Sequence, residues 1–226
     1  MNQKAIFRCD AGHAPEIGTG HITRSKTLAN ELVRSKLLNN NDIIFLNRDD
    51  PGYDLGKKYL SESGFNYEVF SNQRLEANSE SEIKILSNSN ASIIFMDRLE
   101  TSKNLIKSIN NAGIKVITFD DYGGGREFSD LAISSIFDDV DISSNLIMGY
   151  KYLILSKRSY KKSIIRDNVS NIVATFGGND KRDLCTHFLN NIKNIDSKIK
   201  IDIILGKIEQ ENFIKYKNID KEKALN

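Results

Sequence analysis

The segment IGTGHITR, Ile17 to Arg24, gathers two glycines, a histidine and an arginine into eight residues. Gly18 and Gly20 let the backbone turn tightly and let a ligand approach with no Cβ in the way. A helix opening at about His21 adds unpaired N–H groups and a positive dipole end, a position suited to phosphate. The same dipole disfavours an imidazolium, so His21 is expected to be neutral and able to take a proton from water or a hydroxyl. On spacing alone two readings stay open: a general base beside a phosphate-binding turn, or a ring that caps the helix or binds the phosphate itself. The pattern is GxGH rather than GxGxxG, and no acidic residue closes the second apolar run, DIIFLN, so a dinucleotide is discounted.

Other segments carry weaker signals. In TFGGND, Gly177 and Gly178 follow a strand and Asp180 can cap a helix beginning near Lys181, giving a second phosphate-facing helix start. FDDY, Phe119 to Tyr122, leads into Gly123, Gly124, Gly125 and Arg126, which reads either as a turn that a ligand approaches or as a plain surface turn. His13 lies close enough to the first motif to touch a ligand, whereas His187 reads as structural or solvated. Cys9 and Cys185 lack CxxC or CxxxH spacing, and each reads as a small buried apolar side chain in a reduced state. No metal cluster is apparent, and no cofactor is expected.

The elements that would hold these residues alternate along the chain. Strands are expected at Lys4 to Cys9, Asp42 to Asn47, Asn66 to Phe70, Ala91 to Met96, Ile114 to Phe119 and Leu131 to Ser134, then at Asn171 to Phe176 and Lys200 to Leu205. Runs this short and this rich in Ile and Phe suit a parallel sheet covered on both faces. Between them, Leu28, Ala29, Leu32 and Val33 recur at helical spacing, as do Leu105, Ile106, Ile109 and Ala112 ahead of Gly113. The order βαβα predicts an α/β, doubly wound, Rossmann-like sheet.

Composition narrows the classes. Among 226 residues, 32 Lys and Arg against 30 Asp and Glu leave a charge of +2 spread along the chain, which argues against nucleic-acid or membrane-surface recruitment by charge. No run is long and apolar enough for a membrane span, and the start lacks signal-peptide features, so a cytoplasmic protein is expected. The basic stretch around residues 156–170 reads as a connector. The expected domains are therefore 1–156, a connector at 157–169, and a partial second domain at 170–226.

The motif order resembles that of a known family, the UDP-sugar hydrolase of pseudaminic acid biosynthesis and its spore-coat polysaccharide glycosyltransferase-like relatives. The resemblance is carried by FRCDAG at Arg8 and Asp10, IGTGHITRSKTLANEL, FDDY, SDLA (129–132), GYKYLIL (149–155) and TFGGND. It implies a GT-B fold, two Rossmann-like domains with a nucleotide-sugar between them. It also implies that His21 is catalytic, activating water to attack the anomeric carbon and release UDP; with no metal cluster apparent, metal-independent hydrolysis is the expectation. By the same resemblance Arg8, Asp10, Gly18, Gly20, Arg24, Asp97, Asp121, Tyr122, Gly177, Gly178 and Asp180 form the substrate- and phosphate-binding set. After the fourth strand the family has Asp followed two residues later by Tyr. Here Asp97, Arg98, Leu99 stand, so only the aspartate carries over. A UDP-sugar-dependent glycosyltransferase and an inactive nucleotide-sugar-binding fragment are the alternatives. Because one βαβ unit leaves two sheet edges and cannot bury both faces, a missing C-terminal segment or a partner is expected to complete the second domain.

Overall fold

A computed structural model describes residues 4–14, 17–135, 144–156, 167–177, 180, 182–192 and 198–205. The chain divides into two compact units, residues 1–157 and 158–226. Residues 157–166 of the expected connector lie outside the described residues.

The first unit is a seven-stranded, all-parallel sheet. Its strands are β1 (Ala5–Cys9), β2 (Ile43–Arg48), β3 (Asn66–Phe70), β4 (Ile93–Asp97), β5 (Lys115–Phe119), β6 (Leu131–Ser134) and β7 (Leu146–Met148), in the order β3-β2-β1-β4-β5-β6-β7. Six of these are the strands expected from sequence, and β7 is an addition. Its helices are α1 (Gly20–Arg34), α2 (Leu55–Ser61), α3 (Glu80–Ser87) and α4 (Lys103–Asn111). Gly113, at φ +81°, follows α4 in the left-handed conformation that glycine adopts at little cost.

Strand alternation decides what each face carries. Ala5, Phe7 and Cys9 of β1 join Ile43 and Phe45 of β2, Phe95 of β4 and Phe119 of β5 against Ile22 and Ala29 of α1 and Leu55 and Leu60 of α2. The residues between them, Ile6, Leu46, Ile94, Met96 and Val116, pack with Leu86 of α3 and Leu105, Ile106 and Ile109 of α4. The sheet is therefore doubly wound, covered on both faces as its apolar runs require. Through the first face runs a row of rings, Phe45–Phe7–Phe95–Phe119, with neighbouring centroids 4.9, 4.6 and 6.4 Å apart across four parallel strands.

In the second unit β8 (Asn171–Thr175) pairs in parallel with β9 (Lys200–Ile204), and helix α5 (Leu184–Asn191) lies between them in sequence. Cys185 and Leu189 of α5 form a small core with Phe176, Ile192, Ile203 and Leu205.

Candidate functional site

The strand order reverses between β1 and β4, whose registers align Cys9 with Asp97. In a doubly wound sheet the carboxyl ends of two such strands open the crevice in which ligands bind. Asp97 is the last residue of β4, and the loop after β1 leads into the first turn of α1. Alternation from Ile93 and Phe95 turns Asp97 toward the α1 layer, which brings it to His21, Arg24 and Ser25. Those three stand at i, i+3 and i+4, one face of the helix.

Asp97 is the hub. Arg24 grips it with both arms, Nε to Oδ2 at 2.9 Å and Nη2 to Oδ1 at 2.6 Å, and the Ser25 hydroxyl donates to Oδ2 at 3.2 Å. His21 Nδ1 lies 2.7 Å from Oδ1. Burial pushes the Asp97 carboxyl up, but the hydrogen bonds from Arg24 and His21 outweigh it and hold the group below its usual value. An ionised carboxylate only accepts, so Nδ1 carries a hydrogen toward Asp97. Among the described residues Nε2 has no hydrogen-bond partner, and the His21 side chain is 16% exposed, against 1% for Asp97. This is the relation of a general base to the carboxylate that orients it.

Arg24 also donates from Nη1 to Asp120, a residue the sequence reading passed over. Asp120 lies just past β5 and has φ +47°, in the left-handed region that Asp and Asn tolerate better than most residues. Its carboxylate accepts from Ser135 N at 2.6 Å and from the Ser135 hydroxyl at 3.0 and 3.1 Å. The guanidinium is therefore shared by two buried carboxylates, and its charge is held more firmly than that of a free arginine despite burial.

The first turn of α1 is open. Thr19 makes no side-chain cap and the first turn holds no acidic residue. A Cβ added at Gly18 or Gly20 would meet nothing within 4 Å, and neither residue has a left-handed φ. Neither turning nor packing thus calls for glycine at these positions. What they leave is space in front of the helix N–H groups.

Other expected site residues are placed differently. Arg8 alternates with Phe7 and Cys9, so it faces α3 and not α1. It is fully buried, giving Nε to Glu82 at 2.7 Å, Nη1 to Asp10 at 2.6 Å and Nη2 to the Leu75 carbonyl at 2.8 Å. With these donors committed in the core, Arg8 cannot bind substrate directly, and that expectation is corrected. Glu82 also takes both Nη groups of Arg98. Burial raises its carboxyl, but the charges of Arg98 and Arg8 bring it down to about 2. Asp10 holds Arg8 and, through Oδ1, the Arg48 N–H at 2.9 Å, so its carboxylate ties β1 to β2.

Asp121 turns inward as well. It accepts from Thr101 N at 3.0 Å, the Thr101 hydroxyl at 2.5 Å and Gly123 N at 2.8 Å, while burial, the largest influence, pushes its carboxyl up. A Cβ at Gly123 or Gly125 would lie 2.4 Å from the Thr101 carbonyl oxygen or 2.3 Å from its hydroxyl, so this turn packs closely on the loop after β4. Tyr122 is 55% exposed, with its N–H on the Leu99 carbonyl at 2.9 Å. In the second unit Gly177 has φ +81°. Asp180 caps α5, accepting from Leu184 N and Cys185 N at 2.8 Å each, so a carboxylate already occupies the helix start expected to face a phosphate. The helix begins at Leu184, after the expected Lys181, and Gly178 lies outside the described residues. His13 and His187 are both exposed. Cys9 is buried, and burial pushes its thiol up to about 12.

The fold is of the GT-B type, with two α/β units each built on a parallel sheet. The structure is similar to the crystal structure of Acinetobacter baumannii MurG, with a TM-score of 0.54 and 11% identity, over 97% of this chain and 63% of that one. In sequence the chain is 27% identical over 237 aligned positions to the uncharacterized protein MJ1062 of Methanocaldococcus jannaschii, covering 91% of this chain and 46% of that protein. It thus spans about half the length of the curated relative it matches. No family model matches the sequence. No helix among the described residues is long and apolar enough to cross a membrane.

Proposed function

We propose that the chain carries the catalytic part of a UDP-sugar hydrolase acting on a 2,4-diacetamido-trideoxy sugar in nonulosonic acid synthesis. The observation that carries this reading is His21 on Asp97, with Nε2 unpartnered beside the open first turn of α1. In the mechanism, Nε2 takes a proton from water as the water oxygen bonds to the anomeric carbon. The bond from that carbon to the diphosphate oxygen breaks, and UDP leaves with the electron pair. Asp97 steadies the imidazolium so formed, and the N–H groups at Gly20 and His21 face the leaving diphosphate. The nucleotide-sugar is supported by the GT-B fold, and the sugar by the motif resemblance.

The test is UDP release from UDP-2,4-diacetamido-2,4,6-trideoxy sugar by the wild type and by His21→Asn. Loss of release with unchanged melting supports the assignment, and near wild-type turnover of the variant overturns it. The likeness to MurG favours a second reading, in which the same nitrogen deprotonates an acceptor hydroxyl. Release of UDP that requires an added glycan acceptor would select it.

A further inference from the structure

We infer that Asp120 is a positioning residue for His21, acting through Arg24. The inference rests on His21 being the base, and it adds a residue outside the IGTGHITR segment. Arg24 makes three contacts from its planar guanidinium, two to Asp97 and one to Asp120. A guanidinium fork held at its third corner cannot swing, so Asp120 fixes the angle at which Arg24 meets Asp97. That angle leaves Oδ1 within 2.7 Å of His21 Nδ1. Asp120 is itself anchored, its N–H on the Ile133 carbonyl at 2.8 Å and its carboxylate on Ser135. The C-terminal end of β6 therefore bears on the ring through two ion pairs.

Charge works in the same direction. Arg24 alone would neutralise Asp97 and leave His21 facing a neutral pair. With Asp120 the three groups sum to one negative charge, which, of the two neutral tautomers, favours the one with its hydrogen on Nδ1 beside Asp97. Nearby lie the Ser25 hydroxyl on α1 and the Cys9 thiol on β1, the thiol kept uncharged by burial, with Asp10 and Arg8 acting on it from the far side of β1's end.

Asp120→Asn tests this, because asparagine accepts a left-handed backbone and keeps the shape while losing the charge. Asp120→Gly, which also accepts that backbone, is the second variant. The readout is the nitrogen chemical shifts of the His21 ring in the free protein, which report the ratio of the Nδ1–H to the Nε2–H form without substrate. The ratio is expected to fall by about threefold or more in both variants, the effect of a partly screened ion pair. In an active enzyme kcat falls while KM holds. An unchanged ratio in either folded variant overturns the role of Asp120. A shifted ratio in a protein that releases no UDP from any UDP-sugar would instead overturn the hydrolase reading and leave the positioning intact.

Discussion

His21 and Asp97, 76 positions apart in sequence, meet at 2.7 Å because one opens the helix after β1 and the other closes the strand beside β1. A helix end and a strand end are both rigid, so the pair is held by the scaffold and not by a loop. Asp97 takes the Nδ1 side of the ring, so Nε2 is the nitrogen left without a partner among the described residues.

Replacing Asp97 by Asn offers the ring an amide that can donate as well as accept, and removes the charge that fixes the tautomer. On the proposed hydrolase reading, UDP release is expected to fall by about three to four orders of magnitude, the loss seen when an orienting carboxylate is neutralised. Steady-state kinetics measure it, and a loss below tenfold would remove Asp97 from the mechanism.

Acid should unfold the first unit through Glu82 and Asp97. Both carboxyls sit below their unfolded values, Glu82 at about 2, so their contribution is complete above the unfolded carboxylate range near pH 4 to 5. It drains away as pH falls through the folded values. For Glu82 this is on the order of 3 kcal/mol between about pH 5 and 2. Urea melts along a pH series check it, and Glu82→Gln should flatten the acid limb.

Arg8 is expected to matter for stability and not for ligand. Arg8→Ala leaves Glu82 with one arginine and empties a large buried volume, costing about 3–5 kcal/mol. If the variant keeps enough folded protein for calorimetry, its affinity for UDP should match the wild type. A selective loss of binding would return Arg8 to the site.

The glycines should separate into two kinds. A Cβ at Gly12 would lie 1.8 Å from the Gly52 carbonyl oxygen, so Gly12→Ala must displace backbone and lower the melting temperature. At Gly18 and Gly20 the added methyl has room, so alanine should change stability by no more than about 0.5 kcal/mol. The same methyl sits where a ligand would approach the helix, and it should weaken nucleotide-sugar binding in a titration.

Much of this architecture is legible in the chain. Runs such as DIIFLN and ASIIFM place their strands because both faces are apolar, and Gly113 closes its helix where the pattern stops. β7 is hidden because three residues, Leu146–Met148, carry no period. Arg8 shows what motif order omits: counting alternately from Phe7 and Cys9 would have turned it away from α1. Helical spacing sets His21, Arg24 and Ser25 on one face once the helix start is known, but it does not reveal which strand end lies opposite. Asp120 escaped because a left-handed residue breaks the strand alternation that would have placed it. Glu82 reads as an ordinary surface charge of α3 until a buried arginine is found beside it.

The row of four phenylalanines also acts as a check on folding. Because successive side chains point to opposite faces, sliding β4 by one residue would remove Phe95 from the row and turn Asp97 away from α1 in the same movement. A misaligned sheet would lose its core and its carboxylate together. Under the proposed hydrolase reading, turnover would double as an assay of strand alignment, since a working variant must have assembled its sheet correctly.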